Sequence, residues 1–112
     1  MIKKNLSKVT KEMAEVILRK ENVSPQTIDV ALKIVHIAWN LAHDEYKDEP
    51  AYIHGIKEIQ PLITSMKEEF ISESVEEMSE KLIRYKSRYY PNDNRTIYSC
   101  GFKNGSVKVT WT

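Results

Sequence analysis

Cysteine is nearly missing from this chain: among 112 residues only Cys100 carries a thiol. One cysteine closes no internal disulfide and builds no zinc site, and it fits a reducing compartment. Glycine is scarce as well, and Gly55, Gly101 and Gly105 stand far apart, so no glycine loop is present to cradle a phosphate. There is no Gly-x-Ser-x-Gly nucleophile elbow and no His-x-x-x-His pair. No apolar run approaches the roughly 18 residues that a membrane span needs. The basic start Met1-Ile2-Lys3-Lys4-Asn5 leads into no apolar stretch of the kind a secretory leader carries. These absences lead us to expect an intracellular, cytoplasmic, non-enzymatic protein with no membrane partner, metal or cofactor.

What is present suits a folded domain. Hydrophobic residues make up 41% and charged residues 29% of the chain, an ordinary balance for a packed core. The length suits one domain, helical over 7–90 and closed by a β-hairpin over 96–112. The net charge of +1 hides three blocks. Residues 1–43 carry seven basic and four acidic side chains, 44–80 three basic and eleven acidic, and 81–112 seven basic and one acidic. Such asymmetry points to a charged partner, unless the acidic 44–80 and basic 81–112 segments neutralise each other in space.

The apolar spacing predicts four helices. Val9, Met13, Val16 and Ile17 form the stripe of a first helix over about 7–20. The second, about 25–46, begins with Ser24 as N-cap and Pro25 at the first position, where its missing donor costs nothing. Ile28, Leu32, Val35, Trp39, Ala42 and Tyr46 form one row, with Ala31, Ile34, Ala38 and Leu41 beside it. A helix apolar over most of its circumference is central and buried. Its one polar strip is Asp29, Lys33, His36, Asn40, His43 and Lys47. Tyr52, Ile56, Ile59 and Ile63 mark a third helix, in which Pro61 should kink or restart the chain. Ser74 with Glu77 is a capping-box signature for a fourth, about 75–89, striped by Val75, Met78, Leu82, Tyr85 and Tyr89.

Asn104-Gly105 is the preferred dipeptide of a two-residue type I′ turn and sets a hairpin register. Phe102 then pairs with Val107, Cys100 with Val109 and Tyr98 with Trp111 on one apolar face. Gly101 pairs with Lys108, Ser99 with Thr110 and Ile97 with Thr112 on the other. A lone hairpin is barely stable in water, so the apolar face must dock on the helices or on a second chain. The fold expected is α+β, mainly α, around the central helix.

Three constellations bear on function. The stretch 18–32, with Asn22-Val23-Ser24-Pro25-Gln26-Thr27-Ile28 leading into Ala31-Leu32, resembles the core of a helix-turn-helix motif. That resemblance implies DNA contact through Gln26 and Lys33, although Asn22 replaces the usual turn glycine and Asp29 would face phosphate. The segment 81–95 interleaves Lys81, Arg84, Lys86 and Arg88 with tyrosines, a pattern suited to single strands. His36, Asn40 and His43 could line a polar groove. The two histidines lie about 10 Å apart along the helix axis, too far to share a metal ion.

The leading expectation is a small regulatory protein of the inhibitor, immunity or accessory-factor type that docks a protein partner. Its candidate anchors are Arg84, Arg88, Tyr89, Tyr90, Arg95 and Trp111, residue types that interfaces favour. The hairpin edge is also available for homodimerisation. Nucleic-acid binding through 18–32 or 81–95 is the alternative.

Overall fold

The computed structural model describes residues 5–43 and 50–112. Four helices and an antiparallel hairpin follow in the order α1 (Leu6–Val16), α2 (Pro25–Leu41), α3 (Pro50–Ser65), α4 (Val75–Tyr89), β1 (Ile97–Lys103) and β2 (Ser106–Trp111). The fold is α+β and mainly helical. α2 packs against α1, α3, α4 and β1, and Ala31, Leu32, Ile34, Val35, Ala38 and Trp39 along it are fully buried. The turn expected to extend α2 to Tyr46, and Lys47 with it, lie outside the described residues.

The helix starts obey local chemistry. The Asn5 side chain accepts from Ser7 N–H at 2.9 Å, Ser24 Oγ from Thr27 N–H at 3.2 Å and Ser74 Oγ from Glu77 N–H at 3.2 Å. Only half of the expected capping box forms. The Glu77 carboxylate takes the Ser72 hydroxyl, and Ser74 N–H also turns to Ser72 Oγ.

One expectation about the helices is corrected, and one of two alternatives at Pro61 is ruled out. α1 stops at Val16 rather than near Lys20: Ile17 leaves helical geometry in a turn (φ −99°, ψ 1°), and the chain there pairs with the segment after α3. Leu18 bridges Phe70, Ile71 N–H donates to Ile17 O, and Arg19 N–H donates to Glu69 O. This pairing seats both Ile17 and Phe70 in the core, a burial that further helix would forgo. α3 continues through Pro61 as one helix. Pro61 and Lys57, whose carbonyl loses its partner, both lie on the exposed side, where water replaces the missing bond.

The hairpin turn is as expected, with Asn104 at φ 53° and Gly105 at φ 78°. The register also holds from Lys103↔Ser106 back to Ser99↔Thr110. There it breaks: a bulge at Tyr98 pairs Ile97 with Trp111. The extra residue flips the strand start, so Ile97 is 1% exposed and Tyr98 61% exposed, the reverse of the derived sorting. The cause lies in α2, whose Asn40 holds the backbone of Ile97.

Candidate interaction surface

Much of the polar strip of α2 is taken up by backbone contacts, while Lys33 and His36 also line a cleft of about 350 Å³ with Tyr52 and Tyr98. The strip serves as a hydrogen-bonding rail for residues 95–102. Asn40 Oδ1 accepts from Ile97 N–H at 3.0 Å and its Nδ2 donates to Ile97 O at 2.7 Å, mimicking a neighbouring strand. The same Nδ2 donates to Tyr52 Oη at 2.7 Å. Asp29 Oδ1 accepts from Phe102 N–H at 2.7 Å, and Lys33 pairs with the other carboxylate oxygen. Arg95 O receives Trp39 Nε1–H at 2.7 Å and lies 3.2 Å from His43 Nε2. His36 is held below its ordinary pKa of 6.5 by burial, which outweighs a hydrogen bond to the Ile97 backbone. Of the three residues expected to line a groove, Asn40 and His43 hold the backbone of Ile97 and Arg95, whereas His36 lines the cleft. The outer edge of β1 is therefore partly capped by side chains, leaving β2 as the outer strand of the hairpin.

On the face of α2 that a helix-turn-helix would present to DNA, Asp29 is engaged with the Phe102 backbone of β1. Gln26 is exposed near its first turn and Lys33 is engaged with Asp29, so the two expected DNA contacts form no continuous basic face.

The basic segment is likewise divided. Lys86 is 5% exposed, with its ammonium 4.6 Å from the Trp39 ring centroid and donating to Asp93 O at 2.7 Å. Burial lowers its pKa against the opposing pull of Asp93. Arg95 is 8% exposed and its guanidinium is bound to the Asp93 carboxylate through Nε at 2.9 Å and Nη2 at 2.5 Å. Tyr90 donates to Glu12 Oε2 at 2.5 Å and Tyr85 to the same oxygen at 2.8 Å, pinning α4 to α1. Burial and that carboxylate push the Tyr85 phenol up to about 12 and raise Tyr90 as well. Lys86, Arg95 and the Tyr90 hydroxyl therefore act inside the fold, which corrects their expected place at a contact surface.

What reaches solvent is a smaller set. Lys81, Arg84 and Arg88 are exposed along α4. Tyr89 is 54% exposed, with Tyr85 stacked at 4.6 Å and the Arg88 guanidinium 5.5 Å from its ring. Trp111 is 44% exposed and backed by Arg95 at 5.8 Å. Tyr98 joins these exposed rings; only the bulge reveals it, and the sequence offered no signal for the bulge. Arg84 lies about 140° around α4 from Tyr89 at 100° per residue, so these two expected anchors occupy different faces.

The one thiol is not prepared as a nucleophile. Cys100 is buried in the hairpin's inner face, and burial pushes its thiol up to about 12, despite an opposing bond from Thr10. Among the described residues no three His, Cys, Asp or Glu side chains converge as a metal would need, and no helix is long and apolar enough to cross a membrane. No protein-family model matches the chain, and no curated protein or solved structure matches it either.

Proposed function

We propose that this protein is a non-enzymatic binding module that docks a protein partner through Arg88, Tyr89, Tyr98 and Trp111. One observation carries the reading: three large rings stand exposed, and two of them are braced by neighbours already fixed in the fold. A braced ring loses little conformational freedom on binding, and Tyr, Trp and Arg are the residues that dominate interface energies. Arg95 acts behind the surface, orienting Trp111 while bound to Asp93.

The test compares affinity capture by the native chain and by Tyr89→Ala with Trp111→Ala. We expect a protein retained by the native chain to be lost from the double variant, with the melting temperature within a few degrees of native. A melting temperature that collapses would assign these rings to the fold. Anisotropy with labelled duplex DNA and single-stranded RNA at roughly 50 and 200 mM salt separates the alternative. Binding that weakens about a thousandfold across that range marks phosphate contacts and would replace the protein-docking reading.

A further inference from the structure

The exposed crest of α4 is charged in two opposite halves. Glu76, Glu77 and Glu80 occupy its first turns, and Lys81, Arg84 and Arg88 its later ones, all exposed. Spacings of four would let Glu77 pair with Lys81 and Glu80 with Arg84 within the helix. Neither pair closes: among the described residues no salt bridge forms along this crest, and the Glu77 carboxylate is taken by Ser72. The crest thus presents an acidic block followed by a basic block, each without a partner of opposite sign.

We propose that this crest docks against the same crest of a second copy, antiparallel, across a two-fold axis. Antiparallel pairing about the midpoint of Glu80 and Lys81 sets Glu77 of each copy opposite Arg84 of the other, and Glu80 opposite Lys81. A slip that brings Glu80 against Arg84 also sets Glu76 against Arg88, so opposite signs still meet. Parallel pairing would set like charge on like, which selects the antiparallel arrangement. The interface is isologous and closes as a dimer.

Apolar surface lies beside the crest. Between α3 and α4 runs a cleft of about 340 Å³, walled by Leu41, Ile53, Ile56 and Ile83 and rimmed by Glu76, Glu80 and, from α3, Lys57, which forms no salt bridge with either. Ile53 is half exposed there, and Ser79, also lining the cleft, has a buried Oγ with no hydrogen-bond partner. A two-fold perpendicular to the plane of the two α4 axes keeps the α3 side of each copy on the same flank. The two clefts then lie side by side on that flank, next to the paired crests. The crest shares only Arg88 with the docking surface, and the pairs of Glu77 with Arg84 and Glu80 with Lys81 do not use it, so the inference goes beyond the docking reading and stands whichever way that test falls.

Exposed ion pairs are individually weak and screened by salt, so the dimer should be concentration- and salt-dependent. The experiment is analytical ultracentrifugation at about 1 mM protein in roughly 25 mM salt. We expect the native chain to dimerise, and E77K/E80K and K81E/R84E each to be monomeric when run separately. Mixed one to one, these two variants should form a heterodimer, because every crest pair again meets its opposite. Recovery on mixing also shows that each variant is folded. K103E/K108E, which moves the same charge to the hairpin, should remain unpaired when mixed with E77K/E80K. A monomeric native chain would overturn the proposal. So would dimers that survive in both variants separately, or pairing with the hairpin variant, since these place the contact elsewhere or reduce it to bulk charge attraction.

Discussion

Replacing Asn40 with alanine removes the group that ties the hairpin to the helices. Asn40 and Ile97 are both buried, so the Ile97 N–H and C=O that lose their partners at 3.0 and 2.7 Å have no ready access to water. Each orphaned buried backbone group costs about 1–3 kcal/mol, so the pair predicts a loss of roughly 2–6 kcal/mol. For a domain of this size each kcal/mol lowers the melting temperature by about 4 °C, which places the expected drop at about 8–24 °C. Urea and thermal unfolding followed by circular dichroism measure it directly. Amide exchange adds a local readout, because Ile97 N–H should pass from slow to fast. A loss below about 0.5 kcal/mol, with Ile97 still protected, would refute the idea that α2 side chains anchor β1.

Three further outcomes follow from the same geometry. A Cβ at Gly101 would lie 2.7 Å from Asp29 Oδ1, so Gly101→Ala should break the Phe102–Asp29 bond and cost about 1–3 kcal/mol in unfolding free energy; an unchanged urea midpoint would contradict this. Because burial lowers the pKa of His36, the unfolded chain takes up a proton before the folded one as pH falls below 6.5; the contribution is complete above that pH and lost below it, and a urea series in His36→Gln should lose this acid sensitivity. Cys100, with its thiol pushed up to about 12, should resist thiol reagents at pH 8 in the folded chain and react at once in urea; rapid labelling of the native protein would show the hairpin's inner face to be open.

The elements were largely legible because their signals are local. Ser24-Pro25 and Ser74 announce helix starts through a hydroxyl placed to accept an orphan N–H, and Asn104-Gly105 announces a turn through residues that tolerate positive φ. The rows of α2 imply a central helix because nothing else would cover three apolar sides. The candidate surface was legible only in part. Tyr89, Trp111, Arg84 and Arg88 do reach solvent, whereas Lys86, Arg95, Asn40 and His43 look like surface chemistry in the sequence and are structural in the fold. A polar side chain on a helix carries no local mark of whether it faces water or the backbone of a distant segment. Glu12, which receives both tyrosine hydroxyls, gave no sequence hint of that role for the same reason.

Sequence by itself determined the helix starts, the central position of α2, the hairpin turn and the pairing from Ser99 to Lys103, since each depends on neighbours within a few residues or on a simple period. Tertiary structure decided where α1 ends, which of Ile97 and Tyr98 faces inward, and which cations remain at the surface. Those outcomes depend on contacts between residues some fifty positions apart, such as Asn40 with Ile97 and Trp39 with Arg95. There, satisfying a buried backbone group outweighed the alternation that the hairpin alone would have followed.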